Sequence, residues 1–343
     1  MRQIRVLVVE DSLVFRELLV QSINSDPALT VVAAVRDPYE ARDAIVTYQP
    51  DVMTLDIEMP RMSGLEFLRK LMPQYPLPVV MISSLSDKVF DALNAGAVDF
   101  VAKPKMTDRT QLQAFLTKEL PVKIKIASTA KIGNIKKTTL AHESQAVNKP
   151  ADDSIVVAIG ASTGGTEAIT TLVKGFGPDI PGTVIVQHMP AGFTEMFANR
   201  LNDCCRVRVK EAKDGDKVVT GTVLIAPGGD AHMRLVRKNG EYQVEIKKGP
   251  KVNGHCPAVD VLFDSVAQCA GSRAVGIILT GMGGDGAKGL LSMRKAGAET
   301  IGQDEATCVV YGMPKVAYDM GAVKYQEKLT DIAARTYSVL NRM

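Results

Sequence analysis

Tryptophan is absent from the 343 residues, and histidine is scarce, with only His142, His188, His232 and His255. Chemistry that needs an imidazole base therefore has few candidates. No apolar run approaches the ~20 residues of a membrane span, and the opening MRQIRVLVVEDS reaches acid too early for a secretion signal. A soluble, cytoplasmic chain without membrane insertion is expected. Charge is nearly balanced, 41 basic against 38 acidic residues, so no basic field recommends a nucleic-acid partner. The five cysteines are odd in number and form no CxxC pair, which fits neither a disulfide framework nor a zinc site. What remains, 46% apolar and 23% charged, is the composition of a globular chain, and the length suits two domains.

The first third alternates β-branched runs with segments of helical spacing. Ile4–Val9, Thr30–Val35, Val52–Leu55, Val79–Ile82 and Val98–Val101 read as buried strands, with helices starting near Leu13, Tyr39, Gly64, Asp87 and Asp108. Ser12 is placed to cap the first helix. Five such units predict a doubly wound parallel sheet over residues 1–127. From Ser128 the chain becomes polar and loses periodicity, so 128–153 reads as a linker. Periodicity returns over 154–343, with strands at Ser154–Ile159, Thr183–Gln187, Thr222–Ala226 and Ala274–Thr280 and a helix from Gly192. Asn239-Gly240 between two alternating runs predicts a type I′ hairpin attached to this second, Rossmann-like α/β domain.

Glu10 and Asp11 follow the first strand, Asp56 the third, Ser83 the fourth and Lys103 the fifth. In a parallel sheet these positions share the carboxyl edge, where open α/β folds place their sites. Singly, each has a plain reading as a cap, a turn acid or a solvated lysine. Three converging carboxylates call for a cation, and an all-oxygen set suits Mg²⁺. Asp56 is then expected to accept a phosphoryl group, with Lys103 and Mg²⁺ offsetting its charge and Ser83 bonding the product. VLVVEDS, DVMTLDIEMPRMSGLEFL, VVMISSL and AGAVDFVAKP resemble a response-regulator receiver domain. That resemblance implies a partner histidine kinase and a metal held by Glu10, Asp11, Asp56 and the backbone carbonyl of Glu58. The stretch from Ser83 to Gly96 is about one helical turn shorter than in the relatives it resembles.

In the second domain, GASTGG after a strand sets Ser162 on a glycine-rich turn in the G-x-S-x-G pattern. The same turn equally suits a phosphate cradle or a helix N-cap. His188 ends the next strand, and Asp285 lies in the loop after the strand from Ala274, again at carboxyl edges. Asp285 has its own plain reading as the cap of a helix near Ala287. His142 falls in the linker, His232 begins the hairpin and His255 sits in a proline-bearing loop, which leaves His188 the best-placed base.

IGASTGG, VIVQHMP, VDVLF, ILTGMGGDG and DEATCVVYGMP resemble the catalytic domain of the CheB family of chemotaxis methylesterases. The resemblance implies demethylation of glutamate methyl esters on the cytoplasmic helices of chemoreceptors, and glutamine deamidation in many members. It implies Ser162 as nucleophile, His188 as general acid/base and Asp285 as orienting carboxylate, with no cofactor for the ester chemistry. Backbone amides near Thr163 and Met282 are the candidate oxyanion donors. Cys256 stands where the family often carries arginine. A DNA-binding output lacks a helix-turn-helix here. A cyclase reading lacks a second carboxylate after Gly228-Gly229-Asp230 or Gly283-Gly284-Asp285. A receiver joined to a hydrolase predicts control of access to Ser162 by phosphorylation.

Overall fold

The computed structural model describes residues 2–84, 86–132 and 152–343, which divide into two compact units on either side of residues 133–151. Most of the expected linker, and His142 with it, lies outside the described residues. No described helix is long and apolar enough to cross a membrane.

The first unit contains strands β1 (Ile4–Val9), β2 (Leu29–Val35), β3 (Val52–Asp56), β4 (Val79–Ser83) and β5 (Asp99–Ala102). They form one parallel sheet in the order β2-β1-β3-β4-β5. The central strands are continuous apolar runs because helices cover both faces, and Val6–Val9 and Val79–Ile82 are fully buried. Local chemistry starts the helices where expected: the Ser12 hydroxyl accepts the Phe15 amide, and Ser63 with Glu66 forms a capping box for Gly64–Leu71. The chain leaves β1 toward one edge and returns on the other side as β3. That switch opens a crevice at the carboxyl ends of β1 and β3.

One segment differs from expectation. The single helix from Asp108 is broken into Arg109–Ala114, a π turn at Phe115–Glu119 and Leu120–Ala127. Pro121 accounts for this, since it donates no hydrogen bond and its ring would strike the carbonyl four residues back, at Thr117; the widened turn removes the clash. The helix expected near Asp87 runs over Lys88–Asn94, seven residues.

The second unit contains β6 (Val156–Ala161), β7 (Thr183–Gln187), β8 (Arg208–Glu211), β9 (Thr222–Ile225), β10 (Ala231–Lys238), β11 (Glu241–Lys248), β12 (Ala274–Ile278), β13 (Glu299–Gln303) and β14 (Tyr325–Glu327). Seven strands pair in parallel in the order β14-β13-β12-β6-β7-β9-β8. β10 and β11 form a separate antiparallel ribbon, with Asn239 at φ 51 and Gly240 at φ 85 as the hairpin turn requires. Met233, Leu235, Tyr242 and Val244 from the ribbon join Leu262 and Val266 of the helix Val259–Ala270 in one buried cluster. β6 starts two residues later than its sequence suggests, because Ile155 bonds back to the Asp152 carbonyl and closes a turn. Ser162 therefore follows the strand directly. β6 has β7 on one side and β12 on the other, so the carboxyl end of β6 is the switch point of this sheet.

Candidate active site and phosphoryl site

In the first unit, Lys103 Nζ lies 2.6 Å from Asp56 Oδ2 and 3.0 Å from both Glu10 carboxylate oxygens. Burial, and then the neighbouring Asp56 carboxylate, push the Glu10 carboxyl up to about 7. Asp11 is exposed and completes the trio: Glu10, Asp11 and Asp56 each offer an oxygen within 4.8 Å of the others. An all-oxygen set of this charge fits a hard divalent cation. The Glu58 carboxylate stands outside the trio, while the Glu58 amide donates to Asp56 Oδ1 at 3.1 Å. Its expected role as a ligand rests on its carbonyl alone. The Ser83 hydroxyl donates to the Ser84 carbonyl at 2.8 Å, and the Ser83 carbonyl accepts the Lys103 amide at 2.7 Å, which ties the two strand ends together. Gly64 passes so close to Asp56 that a Cβ there would lie 2.0 Å from the Asp56 carbonyl oxygen.

In the second unit the backbone of Ser162 is held on three sides. Its amide donates to the Thr280 carbonyl at 3.0 Å, and its carbonyl accepts the Gly165 amide at 2.7 Å and Gln187 Nε2 at 2.9 Å. Gly164, at φ 76, makes the turn in a conformation that side chains disfavour, and a Cβ there would also strike Val309. The helix Gly165–Lys174 starts from Gly164 without a side-chain cap, so Ser162 is not spent as an N-cap. His188 adjoins this turn across the β6–β7 ladder, its amide donating to Ala161 at 3.1 Å.

His188 Nε2 is 2.8 Å from Asp285 Oδ2, whereas Nδ1 is buried and makes no hydrogen bond among the described residues. With Nε2–H donated to the carboxylate, Nδ1 carries the lone pair and is the nitrogen left to take a proton. The Ser162 hydroxyl is not bonded to it in this structure; such contacts commonly close only once substrate is bound.

Asp285 does not cap the helix at Ala287, which starts from Gly286 without a side-chain bond. Its carboxylate instead takes four donors: Oδ2 accepts His188 and the Val259 amide at 2.7 Å, and Oδ1 accepts Asn253 Nδ2 at 2.9 Å and the Asp260 amide at 3.2 Å. The two amides are otherwise unsatisfied donors at the start of the helix Val259–Ala270, which places Asp285 at the positive end of that helix. Burial alone pushes the carboxyl up, but hydrogen bonds and charge from His188, with Asn253 and the Val259 amide, outweigh it and hold the group at about 2.

The oxyanion candidates flank this turn. The Thr163 carbonyl accepts from Thr280 Oγ1 at 3.0 Å. Met282 follows Gly281, whose amide bonds to Val310 and whose carbonyl accepts Met313 at 2.7 Å. His232 is buried and fully used, bonded to the Pro250 carbonyl at 2.9 Å and accepting the Ala258 amide at 3.2 Å. Sequence reasoning set His255 aside and did not weigh Asn253 or Gln187. The His255 ring stacks on His188 with centroids 3.7 Å apart and planes 6° from parallel. Nothing in the linear pattern signals that stack, although Gln187 immediately precedes the histidine it supports.

Residues 157–336 match the CheB methylesterase family, and residues 6–116 match the response regulator receiver domain. A protein-glutamate methylesterase/protein-glutamine glutaminase 2 of Syntrophomonas wolfei is 63% identical over 346 residues, covering 100% of this chain and 99% of the relative. The chain belongs to the CheB methylesterase family. Another relative, the protein-glutamate methylesterase/protein-glutamine glutaminase of Syntrophotalea carbinolica, is 52% identical over 349 residues, covering 99% of this chain and 98% of its own. The crystal structure of the Thermotoga maritima CheB methylesterase catalytic domain superposes with a TM-score of 0.53 at 39% identity, covering 54% of this chain and 98% of that one. The CheB methylesterase match spans Ser162, His188 and Asp285, and the receiver match spans Glu10, Asp11, Asp56, Glu58, Ser83 and Lys103.

Proposed function

We propose that this chain is a phosphorylation-regulated serine hydrolase of chemotaxis that demethylates glutamate 5-methyl esters on chemoreceptors and deamidates receptor glutamines. The observation that carries the chemistry is the His188 ring, tied through Nε2 to Asp285 with Nδ1 left without a partner among the described residues, on a residue whose backbone adjoins the Ser162 turn. Nδ1 takes the Ser162 hydroxyl proton as Oγ attacks the ester carbonyl, and the Thr163 and Met282 amides receive the oxyanion. Collapse breaks the C–O bond to the methoxy group, which leaves as methanol with the proton from His188. Water then repeats the attack on the acyl-serine, giving glutamate and restoring Ser162. With glutamine the leaving group is ammonia. Asp285 stays ionised throughout and stabilises the imidazolium. No cofactor enters this chemistry.

Residues 1–127 are the receiver, 154–343 the methylesterase and 128–153 the connection. Asp56 takes a phosphoryl group from a phosphohistidine of the chemotaxis kinase, forming an O–P bond as the N–P bond breaks. Glu10, Asp11, Asp56 and the Glu58 carbonyl would hold Mg²⁺, which would offset charge on the transferred group. Lys103 adds a second positive charge at Asp56, and Ser83 bonds the phosphoryl product. The protein works in the cytoplasm on the receptors' cytoplasmic helices.

Incubation with methylated receptor membranes tests the reading: methanol release and ammonia from receptor glutamines are expected, and the absence of both contradicts it. Gly64→Ala provides a separate check on the receiver. Its added carbon forces the Asp56 backbone to move, so a cost of ~1–3 kcal/mol and weaker phosphate uptake are expected. Thermal unfolding and labelled acetyl phosphate measure these, while hydrolysis of a small ester stays unchanged.

A further inference from the structure

We propose that the loop Val252–Pro257 clamps the His188–Asp285 pair, with Asn253 and His255 as positioning residues; this rests on the triad reading above. The loop is a tight turn in which Val252 and His255 exchange backbone hydrogen bonds, at 3.0 and 2.9 Å. Asn253 sits in it at φ 53, a left-handed conformation that asparagine tolerates better than most residues. Its single side-chain nitrogen donates twice, to Asp285 Oδ1 at 2.9 Å and to Asp260 Oδ2 at 2.7 Å. Asp260 is itself fixed by the Gly289 amide at 2.7 Å, so Asn253 links the catalytic carboxylate to an anchored one. Without that nitrogen, two buried carboxylates would face each other with no shared donor, and Asp285 would keep only the longer Asp260 contact on Oδ1.

His255 acts on the other member of the pair. One hydrogen bond at Nε2 sets where His188 is held but leaves its ring free to tip about that bond. The parallel face of His255 at 3.7 Å fixes the ring plane and hence the direction of Nδ1. His232 secures both flanks of the loop through Pro250 and Ala258. Placement at this level matters, because small misalignments of a catalytic group cost up to about 100-fold in rate.

The test measures kcat and KM of the full chain on a glutamate 5-methyl ester peptide. Asn253→Gly keeps the left-handed backbone and deletes the amide, and Asn253→Asp keeps the size but replaces both donors by a third carboxylate. His255→Ala removes the stacking face, and His255→Phe keeps it. Asn253→Gly is expected to lower kcat by about 10- to 100-fold with KM within about twofold, and Asn253→Asp to lower it further. His255→Phe should recover most of the kcat lost in His255→Ala. Wild-type kcat in both Asn253→Gly and His255→Ala, with Ser162→Ala inactive, would overturn the clamp while leaving the triad standing. Full activity in Ser162→Ala would instead remove the triad reading and the clamp with it.

Discussion

Ser162→Ala is expected to reduce kcat for methanol release by on the order of 10⁴- to 10⁶-fold, the range found when a nucleophile is removed from a working triad. Thr280, Gly165 and Gln187 hold the Ser162 backbone, so the substitution removes Oγ without displacing the turn. Adding His188→Ala to this variant should cost little more, because the imidazole has no other proton to move once the hydroxyl is gone. A double mutant far slower than either single mutant would mean that the two groups act independently. The backbone amides proposed to receive the oxyanion persist in all these variants, so residual turnover above the uncatalysed rate is expected. Because the Asp285 carboxyl is held at about 2, mild acidification leaves that carboxylate ionised.

Asp56→Asn is expected to abolish phosphate uptake and, with it, the rise in esterase activity that a phosphodonor produces in the native chain. Asparagine keeps the shape of the side chain but has no anionic oxygen to attack phosphorus. A coupling of ~1–3 kcal/mol between the phosphoryl site and the esterase corresponds to ~5- to 150-fold activation on receptor substrate. A fragment starting near Asp153 should exceed the unphosphorylated full chain on receptors and equal it on a small ester. Equal rates on both substrates would mean that phosphorylation acts by recruitment to the receptor array and not by relief of inhibition. Phosphate that still enters the Asp56→Asn protein would remove Asp56 as the acceptor.

The first sheet and four central strands of the second were readable because buried parallel strands are written as unbroken apolar runs, whereas β8, β13 and β14, with polar residues in short runs, were not. Reactive side chains placed just past such strands share one edge. Glu10, Asp56 and Lys103 illustrate this in the first unit, as do Ser162 and His188 in the second. Features that depend on contact between distant segments left no such trace. His255 lies in a loop far along the chain from His188, and a ring stack imposes no spacing on the sequence. Asn253 carries no distinguishing signal, since turn chemistry and the bridge between Asp260 and Asp285 both favour asparagine. VDVLF stood out only as a family motif; that it opens the helix Val259–Ala270, whose first amides seat Asp285, emerges only in the structure. The π turn at Phe115–Glu119 is a local effect of Pro121 on the turn before it, which apolar periodicity does not record.

Whether His188 makes Ser162 a reactive nucleophile can be read from its labelling by a serine-directed phosphonate. One phosphonyl group per chain is expected, located at Ser162 by peptide mass analysis, with labelling slowed strongly in His188→Ala. Labelling spread over other serines, or undiminished in His188→Ala, would contradict it.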